Sequence, residues 1–319
     1  MSRSAFTPSA ADSAAGAEVR IDRSAAERDD RDLLPRLLHD PRTRVLAVRR
    51  DAAPLVGGRL ALVEHGRLRG AATGTAEITV PGVREWAFLG RDGDGGAIVL
   101  AVLAEDAPDD LVANASWAPL RAAGGDLPAG EAELLTTAVA LAGWLRDAPF
   151  CPACGTLTEV RHAGWSRHCP ACGREHFPRT DPAVIVLLTS AGSDDRILLG
   201  ANAAWGGRRY SCFAGFAEAG ESLEDAVARE VEEEAGVRLR DIAYRYSQAW
   251  PYPRSLMLGF RARVVDDADA RPDGEEIVEV RWFTRDEIGA ALSDESDVTL
   301  PGAASIARRL IDDWYRGIA

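Results

Sequence analysis

Two groups of residues in this sequence have the types and spacing to do chemistry: four cysteines in two short pairs, and glutamates repeated at helical intervals. Cys151-Pro-Ala-Cys154-Gly and Cys169-Pro-Ala-Cys172-Gly are separated by residues 155 to 168. Each knuckle turns on its glycine so that backbone amides face sulfur, and two such knuckles can converge four thiolates tetrahedrally on one Zn²⁺. Four thiolates complete the coordination sphere and leave no open position for catalysis, so the implied zinc is structural, one per subunit. His162 and His168 lie inside the intervening loop and are alternative ligands, although the cysteines form a set without them. Cys212 stands alone.

Between Gly215 and Val237 the chain reads GFAEAGESLEDAVAREVEEEAGV. Ser222, with Asp225 three residues on, can start a helix over about Leu223 to Ala235, and Gly236 supplies its left-handed stop. Glu230, Glu233 and Glu234 then stand at i, i+3 and i+4 and share one face. Three like charges in one turn repel one another unless a cation sits among them. Hard oxygen donors point to Mg²⁺ or Mn²⁺ rather than Zn²⁺. Such an ion bridges phosphate oxygens and lowers the pKa of a bound water, which supplies a nucleophile for attack at phosphorus. Arg229, adjacent in sequence, can hold one carboxylate by ion pairing. Downstream, Ser247-Gln248-Ala249-Trp250-Pro251-Tyr252-Pro253-Arg254-Ser255 alternates aromatic rings with prolines. The prolines stiffen the segment and the rings can stack on a base or a nicotinamide, with Ser247, Gln248 and Ser255 adding polar groups.

These residues need elements to hold them. Residues 1–30, rich in Ser, Ala, Asp and Arg, are expected to be a flexible lead. From about Thr43 short apolar runs separated by turn residues (TRVLAVRR, RLALVEH, AEITV, EWAFLG, AIVLAVLA) predict strands. A β-rich N-terminal domain is expected over 31–147, closed by a helix over Glu131 to Leu145. A zinc ribbon follows at 148–178. Beyond it, DPAVIVLLTS and DRILLGA predict paired strands, then come the acidic helix, strands at LMLGFRARVV and IVEVRWF, and two closing helical stretches, the last from Ala304 to Arg316. Strands interleaved with helices predict an α/β or α+β domain over 179–319.

Composition sets outer bounds. The 319 residues carry 37 basic and 50 acidic side chains, a net charge of -13, which argues against coating DNA through bulk charge. No apolar run reaches the roughly 18 residues of a membrane helix, and the N-terminus lacks the apolar core of a secretory signal. The chain is expected in the cytoplasm, with no membrane partner.

Gly215, Glu221, Arg229, Glu230, Glu233, Glu234 and Gly236, followed by the aliphatic Val237, have the spacing G-x5-E-x7-R-E-x-x-E-E-x-G. This segment resembles the Nudix box, and the resemblance implies a loop-helix-loop on a mixed α/β/α sandwich. It also implies Glu230 and Glu234 as principal metal ligands, Glu233 as a further ligand or the base that activates water, the Ala214 carbonyl as a metal donor, and Glu221 tying the loop to the helix through Arg229. The Ser247–Ser255 string resembles the SQPWPFPxS array of the NADH pyrophosphatases, the Nudix subfamily that also removes NAD caps from RNA 5′ ends in bacteria. The ribbon just before the box, the RTDPAVIVL strand from Arg179 and the β-rich N-terminal domain agree with it. Ala249 replaces the first proline of the array and Tyr252 its phenylalanine; Phe177 stands where the subfamily often has a substrate-facing tyrosine, keeping stacking without the phenol.

Substrate contacts implied by the resemblance are Phe177, Gln248, Ala249, Trp250, Pro251, Tyr252, Pro253, Arg254, Ser255 and the backbone of Ala307. A loop acid is implied as a further metal ligand at Glu276, with Glu275 the alternative. The implied activity is metal-dependent hydrolysis of NADH or NAD⁺ to nicotinamide mononucleotide and AMP, extending to NAD-capped RNA, in a homodimer. Two other readings fit the same motifs: a Nudix hydrolase of ADP-ribose or other nucleotide sugars, and an inactive RNA-binding regulatory module.

Overall fold

The computed structural model describes residues 21–68, 70, 72–73, 78–206 and 208–318. Residues 1–20 of the expected lead, and 76–77 of the AEITV run, lie outside the described residues. The rest of the lead is anchored. Asp22 exchanges backbone hydrogen bonds of 2.9 and 2.7 Å with Arg91, and Glu27, in the 3₁₀ turn Ala25–Asp29, accepts two hydrogen bonds from the Arg91 guanidinium. An anchor made by a few residues on a remote strand leaves no periodicity for composition to reveal.

Four of the five apolar runs of the first 150 residues supply a four-stranded sheet in the order Val63–Glu64, Arg44–Val48, Ala97–Leu103, Val83–Arg91, while Ile78–Thr79 of the fifth pairs with Ala72–Thr73. Arg44–Val48 lies parallel to Ala97–Leu103, and the other pairings are antiparallel. Both faces of this sheet are covered, which is why its central strands read as continuous rather than alternating apolar runs. One face packs the helix Ala129–Asp147, where Leu134, Leu135, Ala138, Leu141, Ala142 and Leu145 meet Leu46, Val48, Leu89, Ile98 and Leu100. The other face carries the short helix Leu33–His39, whose Leu33, Leu37 and Leu38 bury against Phe88 and Val99.

The ribbon is a small antiparallel sheet of Glu159–Arg161, Ser166–His168 and Glu175–His176. It sits directly on the first sheet. Gly164, at φ 96°, lies so close to Ala87 that a β-carbon there would stand 2.3 Å from the Ala87 methyl, so only glycine fits both the space and the backbone. Trp165 Nε1 donates to the Phe88 carbonyl at 2.7 Å, and the buried Arg167 donates from Nη2 to the Leu145 carbonyl at 2.7 Å.

The C-terminal part is a six-stranded mixed sheet with helices on both faces. Its strand order is Leu239–Trp250, Ser255–Val264, Asp181–Thr189, Arg196–Asn202, Ile277–Thr284, with Phe213–Phe216 paired to Asp181–Thr189. Along Asp181–Thr189, Val184, Val186 and Leu188 face the helix Leu223–Ala235, while Ile185 and Leu187 face the closing helices Arg285–Leu292 and Ile306–Tyr315. This is the expected α/β/α sandwich, and the period of two along a strand assigns each residue to one of its two cores. Among the described residues no helix is long and apolar enough to cross a membrane.

Candidate functional site

The four cysteines come together as their spacing requires. Their sulfurs all lie within 4.8 Å of one another, with Cys151 and Cys172 3.7 Å apart and Cys154 and Cys169 3.5 Å apart. Four thiolates at about 2.3 Å from one zinc are separated by roughly 3.8 Å in a tetrahedron, so the cluster has the size of a Zn²⁺ site. Each knuckle turns on its glycine, Gly155 N–H donating to the Cys151 carbonyl at 2.8 Å and Gly173 N–H to that of Cys169 at 2.9 Å. His162 bonds through Nδ1 to Ser166 at 2.7 Å, which occupies it elsewhere. His176 approaches instead, its Nε2 3.3 Å from Cys151 Sγ.

The second site is built by the acidic helix and the strand before it. Ser222 accepts from the Asp225 N–H at 3.2 Å and Gly236 closes the helix at φ 66°. Ala226, Val227, Val231 and Ala235 bury one face of the helix and carry Glu234 inward, where it is only 7% exposed. Its Oε2 is buried without a hydrogen-bond partner. Burial first, then the charges of Glu276 and Glu230, push this carboxyl up to about 8, and a backbone contact from Ala214 offsets only part of the rise. A buried carboxylate with one oxygen unsatisfied among other acids is costly, and a divalent cation bound to its oxygens would remove the cost.

Glu230 packs over Gly215 so closely that a β-carbon on Gly215 would stand 2.0 Å from its carboxyl carbon. Arg229 holds the surrounding carboxylates. Its Nη1 donates to Glu230 at 3.0 Å and to Glu233 at 3.1 Å, Nε and Nη2 donate to Glu221 at 2.8 and 3.0 Å, and Nη2 also reaches the Phe216 carbonyl at 3.0 Å. Glu221 accepts in addition from the Glu218 N–H at 3.0 Å. Hydrogen bonding to Arg229 holds the Glu221 carboxyl down at about 2. Among the described residues the cysteines are the only set of three or more acids, histidines or cysteines whose ligand atoms converge within 4.8 Å; the glutamates stand farther apart, Glu230 being drawn to Arg229.

Glu234 opens on a cavity of about 270 Å³ lined also by Ala214, Gln248, Trp250, Glu276 and Ala307. Glu276 accepts from Asn202 Nδ2 at 3.2 Å, and of the two candidate loop acids it is the one on the cavity wall. The aromatic-proline string divides. Gln248 faces the cavity and pins the segment before the last helix, donating to the Ala304 carbonyl and accepting from the Ile306 N–H, both at 2.7 Å. Ala249 continues the same strand, opposite Leu256. Pro251, Tyr252 and Pro253 turn away to line a different cleft, against the N-terminal sheet and its helix. Arg254 Nε pairs with Asp181 at 2.8 Å, and Ser255 is buried where its strand pairs with Trp250. Phe177 is half exposed and is not part of the cavity wall.

Asn202, Trp205 and Arg209 also line the cavity, with the Arg209 guanidinium 5.6 Å over the Trp205 ring. Sequence reasoning missed them, because nothing local marks a loop whose meeting with Glu234 and Glu276 is made by strand pairing.

Comparison with known proteins covers nearly the whole described chain. Residues 179–301 match the NUDIX domain, residues 146–177 the NADH pyrophosphatase zinc ribbon domain, and residues 33–144 the NADH pyrophosphatase-like rudimentary NUDIX domain. Relatives named NAD-capped RNA hydrolase NudC include one from Mycobacterium tuberculosis, 44% identical over 79% of this chain and 82% of its own length. Another, from Deinococcus radiodurans, is 38% identical over 70% of this chain and 75% of its own length. A NUDIX hydrolase structure from Nitrosomonas europaea covers 53% of this chain and 93% of its own, with 25% identity and a TM-score of 0.37.

Proposed function

Since this chain belongs to the NudC family of Nudix hydrolases, the NADH pyrophosphatase class, we propose that it cleaves the pyrophosphate of NADH and NAD⁺ into nicotinamide mononucleotide and AMP, and removes NAD caps from RNA by the same cut. The observation that carries this reading is Glu234: buried, with one carboxyl oxygen lacking a hydrogen-bond partner, held up to about 8 by burial and neighbouring acids, and facing a cavity shared with Glu276, Gln248 and Trp250.

Glu230, Glu234, Glu276 and the Ala214 carbonyl are the residues that would hold the catalytic metal, Mg²⁺ or Mn²⁺. When bound, such a cation polarises a phosphate oxygen and activates a water. The rest is done by the chain. Glu234, whose carboxyl is raised to about 8 by burial and the neighbouring acids, would hold the cation in its deprotonated form. Glu233, exposed and paired with Arg229 Nη1 at 3.1 Å, would serve as a further metal ligand or as the base that takes a proton from the attacking water. Arg229 and Glu221 hold the loop Phe216–Glu221 against the helix and keep Glu230 oriented. Trp250 offers a ring face to the base or nicotinamide, and Gln248 fixes the segment that presents Ala307. The cysteine ribbon contributes a structural zinc.

The domain limits 31–147, 148–178 and 179–319, a homodimeric assembly and a cytoplasmic setting, where thiols stay reduced for the ribbon, belong to the same proposal. Rates on NADH, NAD⁺, NAD-capped RNA and ADP-ribose, measured side by side with Mg²⁺ and with Mn²⁺ as AMP release from the free nucleotides and as nicotinamide mononucleotide release from the capped RNA, test it. Faster turnover of ADP-ribose than of every NAD-containing substrate would replace this reading with a nucleotide-sugar hydrolase. Metal-dependent AMP release from NADH would exclude an inactive RNA-binding module.

A further inference from the structure

The Trp250–Pro253 turn belongs to the catalytic sheet, yet half of it rests on the N-terminal part of the chain. Tyr252 packs against the core shared by the first sheet and the helix Ala129–Asp147. With Pro251 and Pro253 it walls a cleft of about 460 Å³ whose opposite side is made by Arg50, Asp51, Arg121, Arg146 and Asp147. Within that cleft the Arg121 guanidinium lies 3.8 Å over the Tyr252 ring and 5.9 Å from the Trp250 ring. Those two rings meet edge to face, 5.1 Å apart at 60°.

Arg121 is well placed to bear on them. It stands in the short helix Leu120–Ala123, whose Leu120 and Ala123 are buried in the same core, and Leu120 N–H donates to the Asp51 carbonyl at 2.9 Å. Arg50 and Arg146 are paired with Glu105 and Asp147, whereas among the described residues no carboxylate is paired with Arg121. Its charge is directed to the aromatic faces, where a cation is attracted by the ring quadrupole. Trp250 lines the Glu234 cavity and Arg121 does not, so any effect of Arg121 on substrate passes through the two rings.

We propose that Arg121 is a positioning residue, which clamps the Trp250–Pro253 turn from the N-terminal side and so fixes the Trp250 face that the substrate ring meets. This rests on the reading of the cavity as a dinucleotide site. It gives the N-terminal part of the chain a role in binding substrate that contains none of its own residues at the metal.

Arg121 is exposed, so its replacement leaves folding intact. With NADH and saturating Mg²⁺, Arg121→Ala is expected to raise KM about two- to fivefold, the worth of one exposed cation–ring contact, with kcat within about twofold of the wild type. Arg121→Lys, which keeps a cation over the ring, should restore most of the KM. Once Tyr252→Leu has removed the ring, adding Arg121→Ala should change nothing further. An unchanged KM in Arg121→Ala, a loss confined to kcat, or full additivity with Tyr252→Leu would overturn the clamp. The same ratios can be read from Kd for NADH by tryptophan quenching without turnover. A wild type that binds NADH but never cleaves it would therefore sink the hydrolase reading while the clamp is still decided.

Discussion

Replacing Glu234 by Gln removes the charge from the most buried acid of the site and keeps its shape. The Glu234 carboxyl, ordinarily at 4.5, stands at about 8 in the fold. An acid raised in this way contributes stability that is fully present below its unfolded pKa and is lost as pH rises through the folded one. The window therefore runs from about pH 4.5 to about pH 8. At about 1.36 kcal/mol per pH unit, roughly 3.5 units set a ceiling near 5 kcal/mol. Water entry and side-chain relaxation reduce it, and a loss of about 2–3 kcal/mol by pH 9 is expected.

Thermal unfolding without divalent cations beyond the ribbon zinc is the assay. The wild type should lose about 5–10 °C of Tm between pH 5 and pH 9, at about 2–4 °C per kcal/mol for a unit of this size. Glu234→Gln, neutral throughout, should lose far less and be the more stable protein at pH 9. Adding Mg²⁺ or Mn²⁺ at 100 times Kd should return about 2.7 kcal/mol to the wild type and little to the variant. Turnover of the variant should fall at least about a hundredfold with folding intact. Parallel pH profiles for the two proteins in metal-free buffer, or near-normal turnover of the variant under saturating metal, would refute the reasoning.

The remaining expectations concern the supports of the two centres. Gly215→Ala puts a methyl into the Glu230 carboxylate, so the acid must swing away; kcat should fall by about tenfold or more, with Tm within a few degrees, measured on NADH and by calorimetry. Cys151→Ser should abolish stoichiometric zinc in metal analysis and lower Tm, because structural zinc contributes folding energy and the ribbon is seated on the first sheet through Trp165 and Arg167; unchanged zinc content would remove Cys151 from the ligand set.

Much of the architecture was legible because it is written in local patterns. The capped acidic helix falls at Leu223–Ala235 as its Ser222 and Gly236 predict, and the apolar runs at 44–48, 97–103, 181–189 and 255–264 become strands. Residues 21–30 read in the sequence as part of a flexible lead because their anchor on Arg91 is a contact between distant residues. The aromatic-proline string reads as one substrate loop, yet its halves face different clefts, since the turn at Trp250 is wedged between the catalytic sheet and the N-terminal core.

By itself the sequence determined the chemistry on offer: four thiolates at ribbon spacing, three glutamates on one helical face with an arginine beside them, and stacking rings stiffened by proline. Residue type and helical or knuckle spacing fix these, since each depends on neighbours within a few positions. Only the tertiary structure decided that Glu234 is the buried acid, that Glu276 rather than Glu275 faces it, and that Arg121 reaches Tyr252 from another part of the chain. Burial and proximity between residues tens or hundreds of positions apart arise from strand order and packing, and no local spacing encodes them.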